Sequence, residues 1–342
     1  MNREVRDGRS SRGVIGCLTA GFEMLGQNLL MVALPVVLDL FLWLGPRVSV
    51  EPLLQGVVTL LRNQTPADPE MAGQVDQAVI LLEQFGERFN LLSMLGGVPM
   101  FQVPSLLARR ASAAGSPLGD PHVLSLSSVL SLIPWWAALA FFGLVLGFLY
   151  LNEIAHQIQD GESSGLARPT ATGEGGGADG DDSLRDGMWK FLRFVSFGLG
   201  LVVIGSLVLP VWVLIVALGA SIAQPLGIML WIAGLGFLSY TALHLLFVIP
   251  GLLLGGRRLL RAISESLLLS HVSLSSVFGF VLLAVVIYEG LGYAWLLPHS
   301  DSWAMLIGIV GNAFVATGLT GAAFLFYQEQ VIVGRRLMAS EE

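Results

Sequence analysis

The stretch from Phe194 to Ala220, FVSFGLGLVVIGSLVLPVWVLIVALGA, holds no charged residue and exceeds the roughly 20 apolar residues that cross a hydrocarbon core. Only Ser221 to Gln224 separate it from a second run, Pro225 to Leu254, PLGIMLWIAGLGFLSYTALHLLFVIPGLLL. Backbone donors and acceptors in lipid must pair within their own segment, so two adjoining runs of this kind read as a hairpin of membrane helices. Working outward, Val272 to Leu297 and Trp303 to Tyr327 follow, while Leu29 to Leu44 and Leu132 to Leu151 precede. The first of these is short, and Val14 to Asn28 either lengthens it or lies along the interface. Short alternating segments of the barrel type are missing. The sequence therefore predicts an all-α integral membrane protein, a bundle of six transmembrane helices.

Composition agrees. The chain is 54% hydrophobic and 13% charged, about half the charged fraction of a soluble domain, and its 41 glycines suit a lipid environment. The net charge of −7 comes mostly from Asp160 to Gly187 and gives no basic footprint for nucleic acid. Cys17 is the one cysteine, which excludes an internal disulfide and a cysteine-based metal site. Met1 to Arg12 is polar, with Arg3, Arg6, Arg9 and Arg12, and no small-residue cleavage pattern closes a short apolar core. The first span is expected to stay in the mature chain rather than leave with a signal peptide.

The arginines set an expected orientation. With the N-terminus inside, 13 of the 18 basic residues fall on the inner side, among them Lys190, Arg193, Arg257, Arg258 and Arg261. The outer side keeps Arg47, Arg62, Arg88, Arg109 and Arg110, all in one long loop, and its two short loops have none. Short loops are the ones that the positive-inside rule weighs. Trp43, Trp135, Trp136, Trp295 and Trp303 all fall at outer helix ends. Both termini are expected in the cytoplasm, and the protein in the inner membrane of the cell.

Five sections result. Residues 1–28 form a tail and an amphipathic lead-in, and 29–159 carry the first two spans with the outer loop 46–131. Residues 160–187 form an acidic Gly-rich linker, 188–330 the last four spans, and 331–342 a tail. The linker has almost no large apolar residue, so disorder is expected. In the outer loop, Glu51 to Arg62 and Met71 to Leu95 carry apolar residues at helical spacing: Val75, Val79, Leu82, Phe85, Phe89 and Leu92 in the second. Two uses are open, a structural cap on the bundle or bilayer surface and a lid over a substrate site.

The approach to the first span, TAGFEMLGQNLLMVALPVVLDL, has a counterpart before the fifth, RAISESLLLSHVSLSSVFGFVLL, and the chain closes with FVATGLTGAAFLFYQEQ. These segments resemble uncharacterised bacterial polytopic families similar to the membrane domain of some glycerophosphodiester phosphodiesterases. The resemblance covers about a third of the chain. It implies a stand-alone membrane module, and no catalytic residue, since the acidic metal ligands and histidines of that enzymes' barrel have no counterpart.

Chemistry-bearing motifs are few. GEGGGADGDD lacks the lysine and Ser/Thr of a phosphate loop, and no hydrolase elbow or paired zinc histidines occur. Glu153 and His156 form one E-x-x-H where a di-metal bundle needs two, so no metal or other cofactor is expected. Ionisable groups inside spans say more. Asp39 and Glu289, with Asn312, fall about 9–12 Å below outer helix ends at 1.5 Å per residue, where a charge is costly unless paired. They read either as an outward-opening proton or cation site or as structural contacts to outer-loop arginines. His244, with Tyr240 and Thr241 one turn earlier, reads as a neutral histidine bonded between helices or as a proton relay. Gly143 and Gly147, and Gly311, Gly318 and Gly321, permit close helix contact, inside the chain or between copies.

These readings converge on a non-enzymatic accessory or scaffold subunit, with lipid as its first partner and protein partners reached through membrane helices or the outer loop. A small-solute or ion transporter using the intramembrane carboxylates is the alternative, and a membrane-embedded enzyme the third. The orientation has a direct test in a background lacking Cys17. A cysteine at Ser300 should react with an impermeant reagent added outside intact cells and one at Ser183 should not; labelling of Ser183 alone reverses the topology.

Overall fold

The computed structural model describes residues 13–63, 69–96, 101–110, 115–119, 121–165 and 179–340. Its helices in chain order are α1 (Val14–Gln27), α2 (Ala33–Leu44), α3 (Glu51–Asn63), α4 (Pro69–Arg88), α5 (Leu106–Arg110) and α6 (Val129–Gly165). They continue as α7 (Asp179–Ile222), α8 (Gln224–Leu245), α9 (Val248–Leu253), α10 (Leu259–Val272), α11 (Leu274–Trp295) and α12 (Met305–Ser340). Two short strands, β1 (Arg47–Ser49) and β2 (Val123–Ser125), complete the set. Among the described residues five helices or helix pairs are long and apolar enough to cross a membrane, or six if Val14–Gln27 and Leu29–Leu44 count as one span. The chain is an all-α membrane bundle of five to six spans. The spans differ in cover: 72% of the apolar window of α12 is buried and none of that of α7.

Two compact units divide the chain: Met1–Gln27, Asn152–Val286 and Gly318–Glu342 form the first, Asn28–Leu151 and Ile287–Thr317 the second. In the first unit α7 and α8 form the expected hairpin, with Gly227 against the backbone of Ala220. The fourth span is interrupted after Leu245. Ser266 of α10 bridges the interruption, donating to the carbonyl of His244 at 2.6 Å and accepting from the amide of Phe247 at 3.2 Å. Two backbone groups that the break frees are thereby paired, as burial in an apolar core requires. Helix α1 packs on α12 almost backbone to backbone: a Cβ on Gly21 would lie 2.6 Å from the carbonyl oxygen of Gly318 and the amide of Ala322. Gly318 receives Phe22, and Gly321 receives Met24, so these two glycines serve packing inside the chain.

The second unit is organised around a feature absent from the sequence reading. β1 and β2 pair in parallel with Arg47 opposite Val123, which joins the end of α2 to the approach to α6. Parallel pairing needs a long crossover, and the outer loop is that crossover. Its helices α3 and α4 pack on each other, joined by Arg62 and Glu83 at 2.8 Å. The base of this hairpin is held on β1: Arg47 donates to the carbonyl of Glu87 at 2.9 Å, and Asn90 accepts from the amide of Val48 at 3.0 Å. Helix α4 ends at Arg88, and a 3-10 turn over Leu91–Leu95 follows, so the helix expected over Met71 to Leu95 is shorter than its apolar pattern. Val79 and Leu92 are buried while Phe85 is exposed.

The loop does not lie wholly outside the spans. Gly143 and Gly147 fall within the candidate span of α6. Their neighbours are not another helix. A Cβ at Gly143 would meet the Gln102 amide at 2.6 Å and the carbonyl oxygen of Met94 at 3.0 Å, and one at Gly147 would strike the carbonyl of Phe101. The two glycines admit Met94, Leu95, Phe101 and Gln102 of the outer loop in place of the neighbouring helix expected above. Such non-helical backbone is tolerated at depth only when protein covers it or water lines it.

The linker expected to be disordered is helical at both ends, with Asp160–Gly165 in α6 and Asp179–Gly187 in α7. Residues 166–178 lie outside the described residues. A built-in comparison tests this close approach. Gly147→Ala should lower the melting temperature in detergent, with a cost of about 1–3 kcal/mol for overpacking. Gly200→Ala, where nothing lies within 4 Å of the added Cβ, should leave melting unchanged or raise it. Equal melting of the two variants would remove these loop residues from the span.

Candidate functional site

The ionisable groups of the second unit meet at the short helix α5. Two side chains, Ser105 and Asp39, determine its start. Ser105 stands one position before the helix, and its Oγ accepts from the amide of Ala108 at 3.0 Å, the usual N-cap bond. The two amides before that, on Leu106 and Leu107, donate to Asp39 of α2 at 3.0 and 3.2 Å. The Ser105 hydroxyl also donates to Asp39. Asp39 is fully buried, and both of its oxygens are engaged. An acidic group at a helix N-terminus is stabilised by the aligned peptide dipoles and by the unpaired amides there. Here the acid comes from another helix, and it fastens α5 to the first span.

Helix α5 in turn carries Arg109. Its guanidinium donates to Glu289 of α11 at 2.5 Å and lies over the Tyr288 ring, 4.2 Å from the centroid. The Arg109 side chain is 24% exposed and that of Glu289 49%. One Nη of Arg109 is buried without a partner, close against Gly292. Of the two intramembrane carboxylates, then, Glu289 has an outer-loop arginine as its structural partner and Asp39 has a hydroxyl and two amides. α5 links them without direct contact.

Asn312 belongs to the same unit and is 1% exposed, yet neither its amide nitrogen nor its oxygen has a partner. Beside it, Gly311 accommodates the Trp295 ring, 2.8 Å from an added Cβ, and the Trp295 indole nitrogen is also buried and unpartnered. Leaving a buried polar group unpaired costs roughly 1–3 kcal/mol. Further along α12, the Thr317 hydroxyl accepts from Tyr150 of α6 at 3.0 Å.

His244 and Tyr240 are in the first unit, and Asp39, Glu289 and Asn312 in the second. The histidine Nδ1 lies 2.9 Å from the carbonyl of Tyr240, within its own helix rather than between helices. Its ring is 4.1 Å from that of Tyr240, and Nε2 is buried without a partner. The link between helices runs instead through the His244 carbonyl and Ser266. At Glu153 a carboxylate oxygen accepts from Gln157 at 3.0 Å. Among the described residues no group of three His, Cys, Asp or Glu could hold a metal ion.

Ser105, Tyr288 and Gln102 were not singled out by the sequence reading, whereas Arg109 was among the outer-loop arginines expected to pair with an intramembrane carboxylate and does so with Glu289. A signal existed for Ser105: Pro104-Ser105 ahead of two leucines and two arginines is the pattern of a capped helix start. No family model, curated protein or solved structure matches the chain.

Three substitutions separate these roles by melting in a single detergent. Asp39→Ala orphans two buried amides and should cost roughly 1–3 kcal/mol for each. Glu289→Gln breaks a half-exposed pair and should cost no more than about 1 kcal/mol. Asn312→Leu, close in shape, should raise the melting temperature, because it removes unpaired polar atoms. A fall on Asn312→Leu would reveal an internal water bonded to the amide.

Proposed function

We propose that the protein is a non-enzymatic accessory or scaffold subunit of a membrane assembly, with both termini in the cytoplasm and its spans in the inner membrane. What supports this reading is the saturation of Asp39. A transport carboxylate must exchange protons or ions with water, whereas this one is fully buried and committed to α5 through three hydrogen bonds. Glu289 is likewise engaged by Arg109. The uncovered surface of α7 is where lipid or a protein partner would sit. A stand-alone membrane module, as the resemblance to the phosphodiesterase membrane domain implies, fits the same reading.

A small-solute or ion transporter is the second reading, favoured by one observation. The outer loop brings irregular backbone against the candidate span of α6, and Asn312 adds unpaired polar atoms in the same unit. Discontinuous segments near the midplane are where transporters place their sites.

Purified protein reconstituted in vesicles decides between them, with flux and melting measured on the same samples. The subunit reading expects no proton-coupled flux from the parent, and lower stability for Asp39→Asn because the new amide opposes a backbone N–H. Parent flux that Asp39→Asn or Glu289→Gln abolishes while melting is preserved would overturn it.

A further inference from the structure

Helix α10 joins the fourth span to the fifth, and it is two-faced. One face, with Ala262, Ser266, Leu269 and Ser270, is buried, and Ser266 and Ser270 bond to the carbonyls of His244 and Leu243 at 2.6 and 3.2 Å. The opposite face exposes Leu260, Leu267, Leu268 and Val272 at 81, 44, 52 and 51%. Those positions recur at i, i+7, i+8 and i+12, one stripe of a helix. The helix is held firmly by its serines, so this stripe is a fixed surface.

Charge at the N-terminal end of α10 indicates what covers it. Arg193 of α7 donates to the carbonyls of Gly256 and Arg257 at 2.9 and 3.3 Å, fixing the turn that enters the helix. In that turn Gly256 takes a φ of +56°, which suits glycine. Arg257 is neutralised by Glu265 at 3.2 Å. Arg258 and Arg261 are exposed, and among the described residues neither guanidinium has an acidic partner. Arg258 precedes the first turn, whose amides receive no side-chain cap. An apolar stripe beside two unpaired guanidiniums and uncapped amides, on a connection between two spans, matches the layered chemistry of a leaflet containing anionic lipid.

We propose that α10 lies in the headgroup layer and docks anionic phospholipid, with Arg258 and Arg261 on the phosphodiester and the leucine stripe in the acyl boundary. The inference is independent of whether the protein is a subunit or a transporter.

The test uses the full chain in a neutral detergent, melted against titrations of short-chain phosphatidylglycerol, short-chain phosphatidylcholine and inorganic phosphate. Phosphatidylglycerol should stabilise at lower concentration than phosphatidylcholine, and inorganic phosphate should not stabilise. Arg258→Gln and Arg261→Gln should each reduce the preference for the anionic lipid about fivefold, at roughly the strength of one surface arginine. Because the readout is a ratio within each variant, a change in baseline stability does not affect it. Equal effects of the two lipids, a preference unchanged in the double variant, or stabilisation by phosphate matching that by lipid would each overturn the proposal. So would melting that rises with protein concentration and ignores the headgroup, which would put a second copy on this face.

Discussion

The second unit depends on a carboxylate placed where lipid would reject it. Asp39 sits in a span, fully buried, and accepts from Ser105, Leu106 and Leu107. A charge withdrawn from water costs several kcal/mol even after relaxation. Three donors and the dipole of α5 offset that cost, and the compensation works in both directions. A five-residue helix has too few internal bonds to persist alone, so the acid that α5 stabilises is also what allows α5 to exist. Arg109 inherits its position from this arrangement, and Glu289 and Tyr288 then fix the far side of the helix against α11.

The same logic of satisfying backbone groups at depth appears in the first unit with different chemistry. A hydroxyl is enough there, because the interruption between α8 and α9 frees groups close together, and Ser266 can donate to one and accept from the other. A hydroxyl is small and uncharged, so it can be buried on a helix face at little cost. A carboxylate is needed at α5, where several amides and no nearby carbonyl have to be answered. The two breaks in the bundle thus use the side chain suited to the groups exposed.

Hydropathy made the spans legible. Runs such as Phe194 to Ala220 permit one structure in lipid, and the helices follow them to within a few residues at their apolar ends. Helix ends in water were less so: α6 and α7 continue into the linker sequence, whose composition carries no periodic signal. The polar residues Asp39, Glu289 and Asn312 were found by their depth, and an outer-loop arginine was foreseen for Glu289, but the hydroxyl and amides around Asp39 were not. Ser105 is distant in sequence from Asp39, and nothing in a single chain marks which loop residue will reach which span. Gly143 and Gly147 show the limit clearly. Their spacing announces a close approach, but a loop backbone and a neighbouring helix demand the same absent Cβ. The parallel β1–β2 pair left no trace either, since three residues are too few for an alternation to be read.

The separation between Asp39 and its partners, 66 residues to Ser105, has a consequence for how the protein is made. Synthesis runs from the N-terminus, so the first span leaves the ribosome long before the segment that compensates its acid. At a helix centre an isolated carboxylate opposes insertion by about 2.5–3.5 kcal/mol, and Leu29 to Leu44 is the shortest of the apolar runs. The first span is therefore a poor substrate for immediate release into lipid. The donors that compensate its acid become available only once the residues around Ser105 have been translated. The stability of the first span in lipid thus depends on a sequence far behind it, which couples the two in assembly.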